Sequence, residues 1–106
     1  MMNNPIRKEQ ASTASRVEVY HKTWCSYSRG ALALLDGKGA AYEDIDVTTD
    51  RVREQEMIER SGRTSVPQIF IGGQSIGGYD ELKTLQDGGG LDKLLGLGVE
   101  ERRKAA

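Results

Sequence analysis

Apolar and polar residues alternate in "RVEVYHK" (16–22), where Val17 and Val19 share one face of an extended chain rich in strand formers. In "CSYSRGALALLDGKG" (25–39) the period changes. Tyr27, Ala31, Leu34 and Leu35 recur at helical spacing until Gly37 and Gly39 end the run. "AYEDIDV" (41–47) returns to a strand pattern, with Ile45 and Val47 on one face. "TTDRVREQEMIERSG" (48–62) predicts a helix capped by Thr49 or Asp50 and stopped at Gly62. Its apolar stripe through Val52, Met57 and Ile58 is thin, so this helix is expected to be largely exposed. "VPQIFIGGQSIGG" (66–78) holds two short strands split by Gly72 and Gly73, a pair suited to a tight hairpin. "YDELKTLQDGGG" (79–90) predicts a third helix, and "LDKLLGLG" (91–98) a short fourth.

The core order is β-α-β-α-β-β-α, without an internal repeat. A strand–helix–strand unit implies parallel pairing through a right-handed crossover, and the glycine hairpin adds antiparallel pairing. The expected class is α/β, a four-stranded mixed sheet flanked by helices. The 106 residues make one domain, placed at 16–98, with a flexible polar tail at 1–15 and a charged tail at 99–106. Hydrophobic residues at 37% against 29% charged fit a globular chain rather than a disordered one. A net charge of −1 argues against broad nucleic-acid or anionic-membrane binding. No apolar run reaches the ~20 residues of a membrane helix. "MMNNPIRKEQASTAS" lacks the apolar centre of a secretory signal, so a reducing cytoplasmic setting is expected.

The single cysteine, Cys25, lies in "TWCSYS" (23–28), which excludes an internal disulfide or a multi-cysteine zinc site within one chain. It falls where the first strand meets the first helix. The first amides of a helix lack intrahelical partners and carry the positive end of its dipole, so a thiolate there is stabilised. Lys22 adds a positive charge nearby. Such surroundings bring a cysteine from ~8.5 into a range of about 3.5–7.5 and make it a nucleophile for thiol–disulfide exchange. The plainer reading is a small buried core residue. A place off the apolar stripe, between Trp24 and Ser26, favours the reactive one. His21, the only histidine, ends a strand and is expected at the surface or a sheet edge, not as a base or metal ligand.

Two further stretches bear on the chemistry. In "TSVPQIF" (64–70) a proline precedes an apolar run. The ordinary reading is a trans proline opening an edge strand. A cis bond would turn the Val66 N–H and C=O outward, free to pair with an extended peptide. In "IGGYDEL" (76–82) two glycines lead into a helix start whose free amides can hold a carboxylate, with Asp80 beside them for an ammonium group. That pairing suits an amino-acid headgroup, although a turn and an acidic first helical turn explain the same residues.

Together "KTWCSYS", "GRTSVPQIFIGG", "SIGGYDEL" and "GGGLDKLL", in this order, resemble the glutaredoxin family over about residues 16–95. The bacterial type is the most similar, while the tryptophan and serine of "WCSYS" are similar to the plastid members of plants. The resemblance implies a thioredoxin-like fold, Pro67 in cis, and a glutathione groove. By it, Cys25 is the catalytic thiol in a motif with Trp24, Ser26, Tyr27 and Ser28. Lys22 would meet the glycine carboxylate of glutathione, and Tyr27 would line the groove. The Val66 backbone, just before Pro67, would pair with the cysteinyl part. Amides near Gly78 and Tyr79 would hold the glutamyl carboxylate, and Asp80 its ammonium group. Arg63 and Ser65 would flank the ligand, and Gln55 is a further candidate carboxylate partner.

The departure is Ser28. Most members of this type carry Cys-Pro-Tyr-Cys, whereas this chain reads Cys-Ser-Tyr-Ser, and a hydroxyl forms no disulfide. The implied activity is that of a one-thiol, glutathione-dependent disulfide oxidoreductase. Cys25 takes glutathione from a glutathionylated protein, and a second glutathione resolves the adduct. The glutathione disulfide then passes to a separate NADPH-dependent reductase, and a monomer suffices. The alternative is a [2Fe–2S] carrier, a dimer in which Cys25 of each copy and two glutathiones supply four thiolates. Tyr27 ranks it second, since dedicated carriers have phenylalanine there. A module that only binds partners is opposed by Lys22, Cys25, Val66-Pro67 and Asp80 occurring together. Trp24 is expected to contact partner proteins, and Ser28→Ala to be nearly silent.

Overall fold

Strand β1, Val17–His21, lies inside the sheet, which is why its residues are covered on both faces. The computed structural model describes residues 16–96, so the expected tails and residues 97–98 lie outside the described residues. After β1 come α1 (Ser26–Gly37), β2 (Glu43–Asp46), α2 (Arg51–Ser61), β3 (Gln68–Ile71), β4 (Gln74–Gly77), α3 (Tyr79–Gly88) and α4 (Gly90–Leu95). The sheet runs β2-β1-β3-β4. Strands β1 and β2 pair in parallel, and the other two pairs are antiparallel, as the expected crossover and hairpin require. Gly72 and Gly73 form the two-residue turn with φ of 63° and 84°, the left-handed pair that matches strand twist.

Alternation along the strands divides the interior in two. Val17, Val19, Ile69 and Ile71 pack on Ala31 and Leu35 of α1, Leu82 of α3, and Leu91 and Leu95 of α4. Tyr20 and Phe70 point the other way, onto Ile45, Val47 and Met57. Burial of each such side chain contributes ~1.5–3 kcal/mol, so α1 and α2 are clamped to opposite faces of β1. None of the described helices is long and apolar enough to cross a membrane.

Two expectations are corrected and one alternative is decided. His21 is buried, because β1 is central, and its Nε2 contacts the Asp44 carboxylate on β2. Val52 is 77% exposed, because it sits roughly 140° around α2 from Met57. Of the two candidate caps, Asp50 is used, its Oδ1 accepting from the Arg53 N–H at 3.0 Å.

A polar seam adds to the apolar docking of α2. The buried Tyr20 hydroxyl donates to the Glu56 carboxylate and accepts from Arg60 Nη1 at 2.7 Å. Arg60 also meets Glu18 at 3.0 Å and lies 3.9 Å over the Phe70 ring. Tyr20→Phe removes the hinge of this seam and should lower stability by about 1–2 kcal/mol in a urea titration. An unchanged midpoint would show that the apolar contacts alone hold α2.

Candidate active site

Cys25 is the N-cap of α1, with φ −89° and ψ 121°. Its N–H donates to the Lys22 carbonyl, and its carbonyl accepts from the Arg29 N–H, both at 3.1 Å. A serine or aspartate at this position would offer an oxygen to the free amides of the first turn; here a sulfur stands in that place. As a thiol, it directs its hydrogen to the Val66 carbonyl, 3.7 Å away. Burial opposes its ionisation. The amide and hydroxyl of Ser28, the amide of Tyr27 and the charge of Arg29 outweigh that and hold the thiol below its ordinary value. Cys25 is only 9% exposed, yet it belongs to neither core cluster. It is a covered rim residue, which favours the reactive reading over the core one.

The expected cation is a different one. Lys22 Nζ lies 3.1 Å from Glu54 Oε2, and Arg29, one helical turn beyond the cysteine, supplies the charge that favours the thiolate. Ser28 is fully buried, with its Oγ accepting the Lys22 N–H at 3.3 Å. That leaves the hydroxyl hydrogen for the sulfur, so Ser28 is part of the site's polar lining. These contacts argue against the expectation that Ser28→Ala is nearly silent. Trp24 and Tyr27 are 67% and 62% exposed. Tyr27 therefore leaves the apolar stripe expected of it, its ring tilting instead toward that of Tyr79, with 6.1 Å between centroids.

The facing wall is built by the loop before β3 and the first turn of α3. The Val66–Pro67 peptide is cis, as the resemblance implied and against the ordinary trans reading. The Val66 carbonyl meets the sulfur, and its N–H has no partner among the described residues. Buried Gln68 fastens this loop, its Nε2 donating to the Ser65 carbonyl at 3.0 Å and to Ser65 Oγ at 3.3 Å. A Cβ on Gly78 would come within 3.1 Å of the Pro67 carbonyl oxygen, so a side chain there would crowd this close approach of α3.

Between these walls lies a groove of about 310 Å³ lined by Tyr27, Arg63, Ser65, Val66, Pro67, Gly78, Tyr79, Asp80 and Glu81. Every expected binding residue except Lys22 and Gln55 is thus brought to one cleft. Lys22 is paired with Glu54 outside that lining, and Gln55 points along α2 to Glu59 at 3.4 Å. Glu81 is an addition. Its Oε1 accepts the Gly78 N–H at 2.8 Å, and its Oε2 lies 3.4 Å from Arg63 Nη2. The Gly78 amide, foremost, and the Arg63 guanidinium hold the Glu81 carboxyl below its usual range. The Gly78 amide is therefore occupied, while those of Tyr79 and Asp80 have no partner among the described residues. Glu81 stands three residues after the N-cap glycine, the capping-box position, which is the signal that could have found it. Free amides, an acidic side chain and an unpaired peptide edge beside an acidified thiol suit disulfide exchange with a short ligand carrying a carboxylate and an amine.

Comparison with known proteins agrees with this geometry. A family model described as Glutaredoxin matches residues 17–76. Glutaredoxin 3 of Escherichia coli is 48% identical over 81 residues, which cover 76% of this chain and 98% of that protein. The solution structure of glutaredoxin from Brucella melitensis is 44% identical, with a TM-score of 0.71 over 81% of this chain and 94% of that one. The crystal structure of a buckwheat glutaredoxin–glutathione complex is 29% identical, with a TM-score of 0.71 over 85% and 86%. With this fold, these relatives and an acidified thiol at the end of the groove, the chain belongs to the glutaredoxin family, thioredoxin-like glutathione-dependent thiol oxidoreductases.

Proposed function

We propose that the chain reduces glutathione mixed disulfides of proteins by a one-thiol route through Cys25. The observation that carries this reading is the pairing of a sole, acidified sulfur with a buried serine hydroxyl at Ser28. The Cys25 thiolate attacks the glutathione sulfur of the substrate. The protein sulfur leaves with the bonding electrons and takes a proton from solvent. A second glutathione thiolate attacks the same glutathione sulfur of the Cys25 adduct, releasing the Cys25 thiolate and glutathione disulfide. A separate NADPH-dependent reductase returns that product to glutathione. Each step needs one protomer and fits a reducing cytoplasm.

Within the groove, the Val66 N–H and C=O take the cysteinyl peptide of glutathione. The amides of Tyr79 and Asp80 take the glutamyl carboxylate, and the Asp80 side chain takes the ammonium group. Arg63 and Ser65 flank the ligand and Tyr27 covers it, while Lys22, outside the groove's lining, meets the glycine carboxylate. That the buckwheat relative was crystallised with glutathione supports glutathione as the ligand. Trp24 is left to touch the polypeptide that carries the glutathione. A [2Fe–2S] cluster would take Cys25 as one thiolate of four and requires a second copy with two glutathiones; the catalytic reading requires neither.

Cys25→Ser should abolish turnover of a glutathione mixed disulfide, and retained turnover would end the mechanism. The rate of Cys25 alkylation by iodoacetamide should reach half its maximum at a lower pH than for a free cysteine, because the thiolate is the reacting form. Ser28→Ala should move that midpoint up, and it should lower stability by about 1 kcal/mol because the Lys22 N–H loses its acceptor. A midpoint unaffected by Ser28→Ala would remove the hydroxyl from the site. Asp80→Asn should weaken binding of S-methylglutathione about tenfold in a titration followed by NMR. Equal affinity would reject the ammonium contact.

A further inference from the structure

Lys22 is an expected ligand contact that already has a partner in the structure. Its Nζ lies 3.1 Å from Glu54 Oε2, and the two side chains are only 21% and 29% exposed. Both ends of this pair are anchored. The Lys22 N–H is bonded to buried Ser28, and the Glu54 N–H donates to the carbonyl of the capping residue Asp50 at 3.0 Å. The Tyr20–Glu56–Arg60 seam holds α2 against β1, so Glu54 is presented from a fixed helix rather than a loose surface. The neighbouring cations are engaged elsewhere. Arg29 Nη1 donates to the Thr23 carbonyl at 3.1 Å, and Arg63 meets Glu81 at 3.4 Å.

We propose that Glu54 sets the affinity for glutathione by competing with its glycine carboxylate for Lys22, which makes it a specificity-determining residue of the reaction. This rests on the reading that Lys22 meets that carboxylate. An ammonium has three N–H donors and can bridge two carboxylates. Both acceptors then crowd one nitrogen, with like charges within about 6 Å of each other in a partly covered site where solvent screens them poorly. A glutathione whose glycine end is neutral escapes this repulsion. Glu54 therefore narrows the preference for the free tripeptide over C-terminally blocked forms and keeps the product, glutathione disulfide, from being held tightly.

The test uses the full chain and two substrates at low ionic strength, the mixed disulfide of glutathione with 2-mercaptoethanol and its glycyl ethyl ester. Glu54→Gln should lower KM for the free carboxylate about three- to tenfold at unchanged kcat, and leave the ester's KM where it was. The gain should shrink as salt is added. Lys22→Met should raise KM for the carboxylate substrate, and in that background Glu54→Gln should lower it by a smaller factor, since no shared ammonium then draws the two carboxylates together. If Lys22→Met raises KM but Glu54→Gln leaves it unchanged or raises it, the competition is overturned while the glutathione placement stands. If Lys22→Met leaves KM unchanged, the placement falls and the proposal with it.

Discussion

The favouring of negative charge on one sulfur by the Tyr27 and Ser28 amides at the open end of α1 is the constraint around which this chain is arranged. The charge is favourable only where amides converge and only if the thiol is held there. Strand β1 delivers Cys25 to that point, because its side chains are packed on both faces and its end has no freedom to drift. Ala31 and Leu35 press α1 to the same strand, so the sulfur and the amides it draws on belong to one rigid body. The opposing wall comes from the loop before the neighbouring strand β3, where the cis Val66–Pro67 peptide sets a carbonyl 3.7 Å from the sulfur.

Partial burial and acidity pull in opposite directions at this cysteine. Cover removes water from the thiolate and raises its pKa, yet it also keeps the sulfur from random oxidants and aligns it with the groove. The balance is tipped by Ser28, Tyr27 and Arg29, all on the first turn of α1. Ser28 has two duties, accepting from the Lys22 amide and lining the sulfur, which explains why a polar residue is fully buried there. A hydroxyl forms no disulfide, so in the one-thiol route proposed above the resolving thiol comes from solution, and the groove beside the sulfur would receive it.

Much of this was legible in the residues. The switch from period-two to helical spacing located every described strand and helix, and Gly72-Gly73 marked the hairpin because only such residues tolerate two consecutive positive φ angles. The groove was readable as three separate stretches, each ambiguous alone, since their meeting depends on the sheet order rather than on any local pattern. What escaped were pairings between side chains distant in sequence. Lys22 looked like the cation of the sulfur until Glu54, on another helix, was found to hold it. Tyr27 kept helical spacing, but spacing does not say whether a first turn has a core beneath it, and here Tyr79 is its neighbour. His21 resembled an edge residue only while the position of β1 within the sheet was unknown.

The account stands or falls on whether this sulfur forms and surrenders a bond to a single glutathione. Intact-mass spectrometry of the purified chain, first with glutathione disulfide and then with reduced glutathione, reads that directly. The chain should gain the mass of one glutathione and return to its starting mass. A chain that stays unmodified, or an adduct that reduced glutathione cannot remove, would contradict it.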